Sequence, residues 1–245
     1  MAASNLKGRI EALYAEFLTA YGQQGWWPLS GRAGKRGFDA RGYHAGAYDH
    51  PRTAEGRFEI VMGAILTQNS AWTNAETALG RLRDAGIRLP SDVRSSPRGR
   101  LARLIRSSGY YNQKARKLKE VAGLFRSAGS LSPGAAPSRE TLLSCWGIGP
   151  ETADSILLYA FHVPTFVVDA FTRRLLSRTG ILEGTRRHGY DDIQRLFHDT
   201  LSRDHEVFNE YHALIVEHAK RHCRAKPVCD GCPVLVCRYR DSTHA

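Results

Sequence analysis

The chain has 245 residues, with 35 Lys and Arg against 24 Asp and Glu, a formal net charge of +11. Hydrophobic residues make up 42% and charged residues 24%, which allows a real core and excludes wholesale disorder. The positive balance favours a polyanionic partner. No apolar run approaches the roughly 18 residues that span a bilayer, and MAASNLKGRIEALYAEF lacks the apolar centre of a signal peptide, so a soluble, intracellular (cytoplasmic) protein with no membrane partner is expected.

In chain order, the first predicted helix runs from Leu6 to Tyr21. Trp26-Trp27-Pro28 follows, then GRAGKRGFDARGYHAGAYDHP, whose many glycines and missing period predict an irregular loop. A second helix starts near Phe58, with Phe58, Val61 and Ile65 on one face. Further helices are predicted at Thr73–Ala85, Arg100–Ser107 and Gln113–Ser127, the last with a stripe of Ala115, Leu118, Ala122 and Phe125. SAGSLSPGAAPS breaks the chain, and two short helices follow, Arg139–Trp146 and Pro150–Phe161. Pro164 ends the second. Helices at Ala170–Arg178, Asp191–Leu201 and Val207–His222 complete the set. No alternation is long enough for a sheet, so the fold class is all-α.

The segment LLSCWGIGPETADSILLYA is the most informative. Gly147-Ile148-Gly149 separates two apolar-periodic helices. Glycine permits positive φ and close backbone approach, and Pro150 suits the first turn of a new helix. The free amides there, with Thr152 nearby, can hold an anion such as a phosphate, while Ile148 fills the space between the helices. An ordinary helical hairpin would use the same glycines. The wider pattern, L-x-x-x-x-G-I-G-x-x-T-A-D followed by P-T-x-V-V-D, resembles the helix-hairpin-helix DNA glycosylase superfamily, of which endonuclease III is the type member. AILTQNSAW resembles that family's first core helix and gap-filling loop, and SSGYYNQKARKL its G-x-Y-N-x-K-A segment. The resemblance covers about Phe58 to Cys237.

What the resemblance implies can be stated residue by residue. Asp169, after Val167-Val168, matches the catalytic carboxylate, although Asp is also among the best residues for capping a helix. Cleaving an N-glycosidic bond builds positive charge on the sugar, which a fixed carboxylate stabilises while it orients water. The base must first leave the duplex. Bifunctional relatives carry a Schiff-base Lys at the fifth hairpin position; here Glu151 stands there, and a carboxylate cannot form a Schiff base. Glu151 is also a candidate catalytic residue, since near Asp169 it would raise one carboxylate's pKa by like-charge repulsion; the rival reading is a favourable acid for a first helical turn. A monofunctional glycosylase acting on damaged double-stranded DNA as a monomer is therefore expected, with bifunctional lyase chemistry or a non-catalytic DNA-binding scaffold as alternatives. Trp26 and Trp27 resemble the base-stacking pocket of the 3-methyladenine glycosylase branch, where an alkylated purine gains cation–π attraction; ordinary packing is the rival reading, and an oxidised pyrimidine the other substrate. Asn69, and next Gln68, match the side chain inserted where the flipped base was. Lys114 and Lys117 are read as phosphate contacts or as a solvated helix face.

Five Cys are present, four of them spaced Cys223-x5-Cys229-x2-Cys232-x4-Cys237. Such clustering argues for metal rather than disulfides. Four thiolates can hold an iron–sulfur cubane or zinc. The family pattern is C-x6-C-x2-C-x5-C around a [4Fe-4S] cluster, so this chain is one residue shorter in two gaps. The lone Cys145 is read as a small buried apolar residue. The resemblance implies two helical lobes: residues 51–163 as a helical barrel carrying the hairpin, and residues 1–50 with 164–245 as the cluster lobe.

Overall fold

A computed structural model describes residues 3–126 and 129–243. Ser127, the expected end of the helix from Gln113, lies outside the described residues. All regular elements among those residues are helical, and none is long and apolar enough to cross a membrane. They are α1 (Ala3–Tyr21), α2 (Ala54–Leu66), α3 (Trp72–Asp84), α4 (Pro90–Ser95), α5 (Arg98–Leu104), α6 (Tyr111–Ala122), α7 (Arg139–Leu143), α8 (Pro150–Ser155), α9 (Ala170–Thr179), α10 (Tyr190–Thr200), α11 (His205–Arg221) and α12 (Arg238–Thr243). Helix α8 continues into a wider π turn over Ile156–Ala160.

Two elements lie outside the sequence reading, α4 and α12. Pro90 opens α4, and Asp92 accepts the Leu89 amide at 2.8 Å, so Pro and a reciprocal acid define a start that no apolar period announces. Helix α2 begins at Ala54, a turn before the expected Phe58, because the Thr53 hydroxyl accepts from the Gly56 amide at 3.1 Å.

The chain divides into two compact units, Trp27–Val163 and Met1–Trp26 with Pro164–Ala245. The first division falls at 26/27 rather than at the expected 50/51. The glycine-rich loop after Trp27 is tied into its own unit: Leu29 donates to Gly42 O at 2.9 Å, His44 Nε2 meets Trp27 O at 3.0 Å, and the Ser30 amide donates to Glu59 Oε1 at 2.6 Å.

Within Trp27–Val163, α2 runs through the core. Phe58, Ile60, Val61, Met62, Ile65 and Leu66 are all buried, as expected of a helix apolar on every side. In the other unit, Ile10, Leu13 and Phe17 of α1 and Tyr211, Leu214 and Ile215 of α11 are core residues, and Tyr211 donates its hydroxyl to Ile10 O at 2.8 Å. Phe166 stacks on Phe197 at 3.7 Å, which anchors the segment leading to Asp169.

Candidate active site

The hairpin residues come together in the unit Trp27–Val163. Gly147 has φ +80°, a conformation that favours glycine, and a Cβ there would also press on the Lys117 side chain. Ile148 is buried between the helices. Gly149 caps α8 in an extended conformation, followed by Pro150 at the first helical position. Arg139 of α7 grips the fully buried Asp154 of α8 through two hydrogen bonds of 2.9 and 3.1 Å. This bidentate pair holds the two hairpin helices in register, a part the sequence reading missed.

Gln68 joins the end of α2 to the same hairpin. Its Nε2 donates to Thr152 Oγ1 at 2.8 Å and Gly147 O at 3.2 Å, and its Oε1 accepts from Lys117 Nζ at 2.5 Å. Gln68 and Lys117 are thus half-buried struts of the hairpin. Asn69 is exposed and left-handed at φ 50°, so the backbone lifts it out of the network that holds Gln68. Glu151 is exposed in the first turn of α8, where the helix dipole favours an acid.

Three expectations need correcting. Lys114 is 1% exposed; its Nζ donates to Leu66 O at 2.8 Å and Ser108 O at 2.6 Å, so it binds the end of α2 and not solvent or phosphate. Burial, with Lys117 nearby, lowers its pKa to about 8. Trp27 is buried, edge-on to Trp72 and Tyr159 at 5.3 and 5.2 Å, with Gly63 closing on its indole. It is 6% exposed, so it sits in the core rather than as an open stacking platform. Cys145 is half-buried rather than buried.

Asp169 lies in the unit that contains α9 and α11. It caps α9: Oδ1 accepts from the Thr172 amide at 2.7 Å and the Thr172 hydroxyl at 2.9 Å. The side chain remains 12% exposed, and Oδ2 lies 3.6 Å from His212 Nε2. Burial pushes the carboxyl up, but His212 and the two Thr172 donors outweigh it, and its pKa falls below the ordinary carboxylate value. The capping and functional readings of Asp169 are therefore compatible. Trp26, half-buried, meets His212 edge-on at 5.9 Å, and its carbonyl accepts from Asn209 Nδ2 at 2.9 Å. His212 and Asn209 escaped the sequence reading, since their partners are remote in the chain.

Cys223, Cys229, Cys232 and Cys237 line one small pocket of about 20 Å³ together with Arg178, Val234 and Tyr239. Arg178 donates to Cys223 Sγ at 3.3 Å and Arg174 to Cys223 O at 3.0 Å. Burial raises the Cys223 thiol and Arg178 opposes it. Among the described residues no three His, Cys, Asp or Glu side chains close around a single ion.

A family model described as HhH-GPD superfamily base excision DNA repair protein matches residues 62–202. A provisionally assigned DNA repair glycosylase of Methanocaldococcus jannaschii is 39% identical over 92% of this chain and 93% of its own. Endonuclease III of Sulfolobus acidocaldarius is 31% identical over 74% of this chain and 82% of its own. Among solved structures, a non-covalent endonuclease III–DNA complex has the same fold, with TM-score 0.75, 22% identity, and coverage of 97% of this chain and 98% of the other. The Helicobacter pylori 3-methyladenine DNA glycosylase bound to 1,N6-ethenoadenine has TM-score 0.65 and 26% identity, over 88% of this chain and 97% of that one.

Proposed function

The chain belongs to the HhH-GPD superfamily of base excision DNA repair proteins and is a DNA glycosylase of the endonuclease III type, and on that premise we propose that it releases its base by hydrolysis alone. The observation that carries this reading is Asp169, fixed by Thr172, kept below the ordinary carboxylate range and still reachable from solvent. An ionised carboxylate so held can stabilise the cationic sugar and orient the attacking water. Glu151 occupies the position where bifunctional relatives carry the Schiff-base Lys, so no amine is available there to carry the reaction on to strand cleavage.

The remaining roles belong to the same proposal. Backbone amides at Gly147, Ile148 and Gly149, with Thr152, receive a phosphate of double-stranded DNA, and Gln68 and Lys117 hold that hairpin in shape. Asn69, lifted from the end of α2, fills the gap left by the extruded nucleotide. Trp26 stacks the base, which is an alkylated purine such as 3-methyladenine or an oxidised pyrimidine. The protein acts as a monomer. The four Cys line one pocket, and four thiolates can hold either a [4Fe-4S] cluster or zinc; the resemblance to the family favours the cluster. When bound, the cluster supplies no reaction step and shapes the loop that carries Arg224 and Lys226.

Duplexes with single defined lesions, assayed with and without alkali, test this reading. Wild-type protein should give breaks only after alkali and no covalent product with borohydride; trapping would establish the bifunctional alternative. Asp169→Asn keeps the cap, since Asn caps as well as Asp, and should reduce base release by at least roughly 10³-fold while binding DNA normally. Undiminished release in that variant would sink the assignment, and a wild-type protein that binds but releases nothing would point to the scaffold reading.

A further inference from the structure

We propose that His212 is a positioning residue for the hydrolytic carboxylate, holding Asp169 Oδ2 and the edge of Trp26 from one face of α11. The proposal rests on the reading of Asp169 as the hydrolytic group. The two oxygens of Asp169 have different surroundings. Both Thr172 donors fall on Oδ1, at 2.7 and 2.9 Å, and that oxygen sets the side-chain rotamer. Oδ2 faces His212 Nε2 at 3.6 Å, beyond the 2.7–3.2 Å of a normal N–H···O bond. The imidazole therefore borders Oδ2 and fixes its surroundings without consuming its acceptor capacity, which leaves that oxygen able to take a water proton.

His212 is itself fixed. It is 5% exposed, and its ring stands edge-on to Trp26 at 5.9 Å and to Phe166 at 6.4 Å. Asn209, one turn earlier on the same face of α11, donates to Trp26 O at 2.9 Å, while its buried Oδ1 has no hydrogen-bond partner. A buried acceptor without a donor is destabilising, and is more readily explained beside a site that receives a donor than in a plain core. The other ionisable groups on the elements packed here are engaged elsewhere in part. Tyr190 Oη accepts from the Val168 amide at 3.2 Å, and His198 Nε2 from the Phe166 amide at 2.9 Å. Glu210 accepts from the Gln24 amide at 2.8 Å, Arg173 donates to Thr185 O and His188 O, and Lys220 Nζ lies 5.6 Å over the Trp26 ring. Among these groups, His212 is the one whose ring nitrogen faces Asp169 Oδ2, at 3.6 Å.

The test compares full-length wild type, His212→Ala, His212→Gln and Asp169→Asn. Single-turnover base release is measured against pH, and the Asp169 carboxyl is titrated by ¹³C NMR. Removing the imidazole leaves burial less opposed, so His212→Ala should shift both the acid limb of the rate profile and the Asp169 titration to higher pH. Its plateau rate should fall about 10²-fold. His212→Gln keeps a donor without charge, so it should recover part of the plateau rate but not the wild-type acid limb. Unshifted limb and titration in both variants would overturn the proposal, even if the rate fell, because a merely structural role would do that. Asp169→Asn separates the two claims. If it releases base as wild type does, the underlying assignment fails; if it is inactive and the His212 variants titrate as wild type does, only the positioning role fails. The NMR titration decides the positioning role even where activity is too low to follow.

Discussion

Lys114→Met isolates the strut under the α2 end. The amine is 1% exposed and donates to Leu66 O and Ser108 O, and its pKa is about 8 against the ordinary 10.5. Below pH 8 both folded and unfolded chains carry the proton, and the folded state bears the full cost of burying it. Between these values the folded chain has released the proton and the unfolded chain has not, so stability gained from Lys114 rises with pH. The rise is about 1.4 kcal/mol by pH 9 and about 2.6 kcal/mol by pH 10. Methionine has no proton to release and leaves two carbonyls without their donor, a cost of roughly 1–3 kcal/mol each at every pH. At pH 7 that cost is largely offset by the removal of a buried charge, so the variant should trail wild type by only about 1 kcal/mol. By pH 10 it should trail by about 3–4 kcal/mol. Urea unfolding of both proteins at pH 7, 9 and 10, followed by circular dichroism, reads the difference, in which contributions of the Cys and Tyr residues cancel. A difference that stays constant within about 0.5 kcal/mol over this range would refute the buried-amine reasoning.

Three further outcomes are expected. Arg139→Ala leaves the fully buried Asp154 without its bidentate partner and should cost about 3–5 kcal/mol; thermal melting should show a fall of about 6–20 °C. Asn69→Ala pays about 1 kcal/mol for a left-handed backbone that Asn69→Gly adopts freely, so melting should separate the two variants while base release falls in both. Purified protein should show visible absorbance from a cluster, which zinc would not give, and Cys229→Ser should lose it; a colourless preparation with equimolar zinc would reverse the cofactor assignment.

The legible parts of the chain were those whose signal is local. The apolar run of α2, the glycines of the hairpin and the Asp after Val167-Val168 each declare a conformation within a few residues. Lys114 was misread because it lies among Lys and Arg on one strongly basic helix, whereas its acceptors sit at Leu66 and Ser108. Trp26 and Trp27 look equivalent in sequence, yet the division of the chain falls between them and one is packed against Trp72 and Tyr159. Helix α4 was missed because its start depends on Pro90 and Asp92 rather than on a hydrophobic period. His212 was invisible because an aromatic residue in an apolar helix reads as core until its partner, far earlier in the chain, is located.

The acid-only reading requires a carboxylate that stays ionised where water is scarce, and burial alone works against that. Asp169 resolves the conflict by capping a helix. The cap supplies two donors to Oδ1 without drawing on Oδ2, and the His212 ring faces Oδ2 from the other side at 3.6 Å. The same residue thus starts α9 and keeps an oxygen available for chemistry. Glu151 is the converse case. It is exposed in the first turn of α8, where the dipole welcomes it, but a negative charge beside a phosphate-binding hairpin weakens DNA affinity. A chain of net charge +11 can tolerate that loss. On the proposed reading the hairpin keeps its hold on phosphate without the amine that lyase chemistry needs, and the reaction ends with the base released.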